Sequence, residues 1–192
     1  MKPRVGISRC LLGDEVRYDG THRRNSSAID LGPHVEWIPV CPEVEVGMGV
    51  PREPVQLVAR VGGARSAGER VGMAGVRSGD DWTERMDRWA QQRVADLATL
   101  GLSGFVLKAR SPSCGPDNVL VHHADGDPTA TGRGLFAEAL ASAMPGLPME
   151  DEESLADPAT RDSFLRRVFG YRRQLSTSTP KTPTPKEGAS KA

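Results

Sequence analysis

Four short apolar segments punctuate the chain, each bounded by turn-forming residues: RVGIS (4–8), VEWIPV (35–40), VQLVARV (55–61) and GFVLKA (104–109). Such runs are the pattern of strands buried in a sheet interior. Pro39 sets the second near its end, because proline cannot donate to a sheet ladder. Between the third and fourth runs the period becomes helical: Trp82, Met86, Trp89, Ala90, Val94, Leu97 and Leu100 recur on one face. Asp81, with Glu84 three residues on, offers a capping box, and Gly101 offers a stop. A second helix is expected from Leu135 to Met144, ending at Pro145-Gly146. A third opens on Asp157 and Pro158 and continues through Phe164, Leu165, Val168 and Phe169.

The segment VGGARSAGERVGMAGVRSGDD (61–81) is rich in glycine and low in apolar content, and reads as loop, with a short hairpin as the alternative. Its glycines match neither a P-loop nor a dinucleotide fingerprint. Beyond about Arg173 the composition shifts. The stretch STSTPKTPTPKEGASKA has no apolar residue larger than alanine, so it cannot offset the entropy of ordering. The chain is therefore expected to form one α/β domain over residues 1–175, with a mainly parallel, Rossmann-like sheet flanked by helices. Residues 176–192 are expected to be a disordered tail.

Bulk properties narrow the class. A chain of 192 residues suffices for one proper core, and 25 basic against 25 acidic residues give no net pull toward nucleic acid or membrane. No apolar run approaches the ~20 residues that cross a bilayer, and MKPRVGISRC lacks a signal peptide's apolar stretch. A cytoplasmic location is expected. Three cysteines with no close pair make a poor disulfide framework.

The placement of those cysteines carries the chemistry. Cys10 follows the first expected strand, Cys41 the second and Cys114 the fourth. In an open α/β sheet, ligands bind at the carboxyl ends of parallel strands. Parallel pairing would therefore bring all three thiols to one rim. A single cysteine is more often a small buried hydrophobe, but three after three strands point to a shared site. Soft sulfur ligands suit zinc, copper(I) or iron–sulfur clusters. A closed zinc site wants a fourth ligand that no C-x-x-C or H-x-x-x-H pair supplies, and the zinc-deaminase pattern is absent. A four-iron cluster on three cysteines remains, with one iron open for Lewis-acid chemistry.

The neighbouring residues suit such a site. CPEVEVG places Glu43 two residues past a thiol, where a carboxylate can act as general base; Glu45 reads as an ordinary loop carboxylate. Ser111 and Ser113 in RSPSCG can donate to a ligand or organise the turn around Pro112. Arg9, Arg17, Lys108 and Arg110 flank the same rim and are candidates to bind an anionic or carbonyl-bearing substrate. Two rival readings stay open: a cluster-free cysteine hydrolase or transferase with Cys114 as nucleophile, for which His22, His34, His122 and His123 show no convincing placement, and a non-catalytic iron–sulfur or sulfur-carrier module that delivers sulfide to a partner.

The motifs SRCLLG…VRYDG, CPEVEVGMGVPREP and KARSPSCG, in that order over roughly residues 3–145, resemble the thiouracil desulfurase family. The resemblance implies a 4Fe–4S cluster on Cys10, Cys41 and Cys114, with an open iron that takes sulfur from a thiolated base. It implies Glu43 as the acidic catalytic residue and Ser111 as the assisting serine. It leaves Arg9, Arg17, Lys108 and Ser113 as expected substrate contacts. The implied substrates are 2-thiouracil, 4-thiouracil or a thiouridine, converted to the oxo-base and sulfide; tRNA is left open. Residues 132–173 resemble the family's longer branch, in which a second helical domain follows, whereas here the low-complexity tail follows. The family's GVPRPP is GVPREP here, with Glu53 replacing the second proline.

Overall fold

The computed structural model describes residues 2–61, 69–124 and 126–178. The chain begins with β1 (Arg4–Ser8), a 3₁₀ turn (Arg9–Leu11), α1 (Ser26–Ile29), β2 (Glu36–Val40) and α2 (Pro42–Glu45). It continues through β3 (Val55–Val61), β4 (Glu69–Gly75), α3 (Thr83–Thr99), β5 (Leu102–Leu107), β6 (Val119–His122) and β7 (Thr129–Gly132). It ends with α4 (Leu135–Ala143), β8 (Met149–Asp151), a second 3₁₀ turn (Ser154–Ala156) and α5 (Pro158–Ser178).

Four strands form a wholly parallel sheet in the order β2-β1-β5-β8. Every residue of β5 is buried, as a parallel strand covered on both faces requires. On one face Val5, Ile7 and Val106 meet Ala28 of α1 and Phe164 and Val168 of α5. On the other, Phe105 and Leu107 meet Ala90, Val94 and Leu97 of α3 and Phe136 and Leu140 of α4. Two glycines permit the close approaches. A Cβ on Gly6 would stand 2.3 Å from the Phe105 ring, and one on Gly104 would stand 2.7 Å from Val168. The chain leaves β1 toward β2 on one side and later fills the other side with β5, so a topological switch point lies at their carboxyl ends.

The expected architecture is present, with two corrections. The run 55–61, expected among the parallel strands, lies in a second four-stranded sheet of order β4-β3-β6-β7. There β3 pairs antiparallel with β4 and parallel with β6, over a core of Leu57, Met73, Met86, Val119 and Val121. Much of the segment expected to be loop is strand β4. The Gly72 position leaves room for Arg60 and Thr83, either of which a Cβ there would strike within 2.7 Å.

The helix ends follow the expected chemistry with small shifts. Asp81 stands one residue before the N-cap Trp82 and accepts the Thr83 N–H at 2.9 Å. Gly101 follows the C-cap in a left-handed conformation. Asp157 accepts the Thr160 N–H at 3.0 Å and starts α5. That helix continues past Arg173 and takes in residues 176–178 of the expected tail; residues 179–192 lie outside the described ones. Glu53 secures the turn after β4, where its carboxylate accepts the backbone N–H groups of Arg77 and Ser78 at 2.9 and 3.1 Å. Among the described residues no helix is long and apolar enough to cross a membrane.

Candidate active site

The carboxyl ends of β1, β2 and β5 open onto one cavity of about 360 Å³. Cys10 enters from the 3₁₀ turn after β1, Cys41 from the residue after β2, and Cys114 from the loop after β5. All three are buried free thiols. Glu43, Ser111, Arg9, Arg17, Lys108 and Arg110 line the same cavity. Of the expected site residues, only Ser113 does not; it is completely buried behind the wall.

Each thiol is placed by local geometry. Cys41 is the N-cap of α2, with Pro42 in the first turn, and its N–H donates to Glu45 Oε1 at 3.0 Å. Glu45 also pairs with Arg93 of α3 at 3.2 Å, so it anchors the Cys41 turn rather than standing free in a loop. In KARSPSCG, Arg110 takes a left-handed conformation, φ 56°, that turns the chain after β5. The Ser111 hydroxyl then accepts the N–H groups of Ser113 and Cys114 at 3.3 and 3.2 Å. Ser8, buried at the end of β1, accepts the Lys108 N–H at 3.0 Å and stitches β1 to β5 beside the cavity.

Among the described residues Glu43 is the one carboxylate lining the cavity, and both its oxygens are held. Ser113 Oγ donates to Oε1 at 2.7 Å. Arg52 donates to Oε2 from Nη2 at 2.5 Å and from Nε at 3.0 Å. The arginine is fixed in turn, by Gly49 O at 2.8 Å and Val16 O at 3.1 Å. A charge pair this enclosed is directional and resists rearrangement, because removing one partner strands the other away from water.

Four of the remaining cations, Arg9, Arg17, Lys108 and Arg110, are paired at the rim. Arg9 reaches Asp14 at 2.9 Å, Lys108 reaches Glu152 at 2.5 Å, and Arg110 pairs with Glu153. Glu152 is itself buried and also accepts the Ala109 N–H at 2.7 Å, so Lys108 is held as part of the β5 turn. Arg17 bonds Thr21 Oγ1 at 3.2 Å and lies 3.5 Å from Asp19. Arg23 also lines the cavity, and no carboxylate among the described residues pairs with it.

The electrostatics show how the thiols would take a metal. Burial pushes the Cys10 thiol up to about 11, the nearby Cys41 adds to this, and Lys108 and Arg17 oppose it. Burial likewise raises Cys41, against a backbone bond and the cations Arg52 and Arg9. Burial raises Cys114 well above the ordinary thiol range, with a Ser8 hydrogen bond opposing and the other two cysteines reinforcing. Three crowded thiolates are thus unfavourable alone and need a positively charged partner. Three soft sulfur donors gathered at one cavity are, by their chemistry, the donor set of an iron–sulfur cluster with three protein ligands.

Sequence reasoning missed Arg52, Ser8, Glu152, Arg23 and the covered position of Ser113. Arg52 alone left a signal, as a charged residue inside a Gly-Pro turn (GVPREP) between two apolar runs. The other partnerships join distant segments and leave none.

Known proteins resemble the chain over this same region. It is 34% identical over 113 residues to the uncharacterized protein YbbK of Bacillus subtilis, covering 57% of this chain and 71% of that protein. A solved structure of the 4Fe–4S-dependent thiouracil desulfidase TudS superposes with a TM-score of 0.63 at 29% identity. That superposition covers 84% of this chain and 99% of the other. The family model for 2-thiouracil desulfurase matches residues 5–152, from β1 to the carboxylate that holds Lys108. The chain belongs to the 2-thiouracil desulfurase family.

Proposed function

We propose that this protein removes sulfur from a thiolated nucleobase or nucleoside, such as 2-thiouracil, 4-thiouracil or 4-thiouridine, and replaces it with oxygen from water. The observation that carries the reading is the meeting of three buried thiols, from three parallel strand ends, around a cavity where the carboxylate of Glu43 is clamped. Family membership and the likeness to TudS support it. Cys10, Cys41 and Cys114 would hold a 4Fe–4S cluster. Such a cluster, with three protein ligands, supplies one iron open to a soft thiocarbonyl sulfur.

The chain's own residues account for the rest of the hydrolysis. Overall, a C–O bond forms and the C–S bond breaks, water supplying the oxygen and two protons, with no change of oxidation state and no external reductant. Glu43 takes a proton from the attacking water, and its fixed carboxylate keeps that water in one place. Ser113 and Arg52 act as positioning residues through Glu43. Ser111 accepts two backbone N–H groups, and its own hydroxyl hydrogen has no acceptor among the described residues, so it is free to donate to substrate. Arg9, Arg17 and Arg23 make the entrance basic, which suits a phosphorylated thionucleotide as well as a free base. Free buried thiols accord with a reducing cytoplasm.

A cysteine-hydrolase mechanism at Cys114 lacks its partner: among the described residues no histidine lines the cavity, and burial opposes the thiolate. The discriminating experiment is anaerobic reconstitution to about four irons and four sulfides per chain, followed by incubation with each thiobase and thionucleoside. Loss of thione absorbance with release of sulfide is expected, and uracil and cytosine are left unchanged. A fully loaded protein that releases no sulfide from any of them would instead be a sulfur carrier.

A further inference from the structure

We infer that Tyr18 is the stacking surface for the substrate's base, and that it makes the site select flat heteroaromatic thiocarbonyls; this rests on the desulfurase reading above. Among the described residues, Tyr18 is the one aromatic residue lining the cavity. Its side chain sits in the loop between the Cys10 turn and α1, and it is 38% exposed in a chain with only 5% aromatic residues. Leaving a large ring partly in water forfeits hydrophobic stabilisation unless the ring is used.

The ring is also held. The Arg17 guanidinium lies 5.2 Å from its centroid, covering one face. Arg17 is fixed through Thr21, whose hydroxyl donates to Asp19 at 2.6 Å. The backbone carbonyl of Tyr18 accepts the Arg52 N–H at 2.9 Å, tying the loop to the residue that clamps Glu43. The ring and the catalytic carboxylate are therefore positioned through one arginine. A pyrimidine laid on the open part of the ring would extend the Arg17–Tyr18 stack. Stacking tolerates any base because every base has a π-face. Tyr18 thus recognises the ring itself, while the position of the C=S bond relative to Glu43 determines whether it reacts.

Equilibrium binding of the product uracil to reconstituted protein, by titration calorimetry, tests this without turnover. Tyr18 is exposed, so its substitution leaves the core intact. Tyr18→Ala should weaken uracil binding by about five- to a hundredfold, the scale of a lost base–aromatic stack, while iron content and the visible spectrum match the parent. Tyr18→Phe should bind like the parent, since the ring and not the hydroxyl is required. The KM for thiouracil should rise in parallel in Tyr18→Ala alone, with kcat retained. Binding in Tyr18→Ala equal to the parent, binding in Tyr18→Phe as weak as in Tyr18→Ala, or no binding of uracil by the parent, overturns the inference. Normal binding patterns without sulfide release from any thiobase would count against the desulfurase reading and leave Tyr18 as the stacking residue.

Discussion

Ser113 donates its hydroxyl to Oε1 of Glu43 at 2.7 Å, joining residues 70 positions apart in the chain. The serine is completely buried, so this bond is its contribution to the site. Ser113→Ala should lower kcat by about ten- to a hundredfold, the range associated with a misplaced reacting group. KM and iron content should hold. Steady-state kinetics with iron analysis decide the matter: a raised KM with unchanged kcat would return Ser113 to the substrate contacts.

Glu43→Gln keeps the shape of the side chain and removes its capacity as a base. The variant should retain its cluster absorbance and lose about two to four orders of magnitude in turnover. Parent-like activity would remove Glu43 from the chemistry.

Glu45→Gln separates anchoring from catalysis. Glu45 accepts the Cys41 N–H and pairs with Arg93, so the change should lower stability by about 1 kcal/mol, as for other helix-start contacts. Turnover per bound cluster should stay near the parent's. Urea midpoints and activity normalised to iron give the two readings, and a loss of normalised activity comparable to that of Glu43→Gln would contradict this division.

The cluster-free protein should weaken in alkali. In the folded chain Cys10 is raised from 9.0 to about 11, and Cys41 and Cys114 are raised as well. Above about pH 9 the unfolded chain gives up thiol protons that the folded chain retains, so stability falls as pH rises toward 11 and is fully present below 9. Urea midpoints at pH 7, 9 and 10.5 should be level at first and then decline. Cys10→Ala should decline less steeply; an identical slope would mean that Cys10 is not the protonated, buried group described.

The extent to which the site is legible in the sequence depends on whether its determinants are local. Strand ends followed by cysteines mark the rim in the sequence itself, and β1, β2, α3 and α4 lie close to where the periodicity predicts. Glycine usually marks a boundary, and that rule starts the fourth strand at Gly104. The residue is instead interior to β5, where the missing side chain admits Val168 of α5. Strand β4 is obscured for a related reason: Gly72 makes room for Arg60 and Thr83, partners no local pattern reveals. The clamp on Glu43 is half hidden: Ser113 meets it only through the fold, whereas Arg52 shows in the sequence as a charge within GVPREP. The two turn serines look alike in RSPSCG, yet Ser111 faces the cavity and Ser113 the carboxylate.

The proposed hydrolysis of a thiocarbonyl, at a cluster that Cys10, Cys41 and Cys114 would hold, can be followed through its oxygen atom. Reconstituted protein is incubated with 4-thiouracil in ¹⁸O-labelled water, without added reductant. The uracil is read by mass spectrometry and the sulfide by assay. Each uracil should carry one labelled oxygen, with one sulfide released beside it, and the Cys41→Ser variant should give neither product. Unlabelled uracil, dependence on a reductant, or full activity in protein stripped of iron would contradict the hydrolysis.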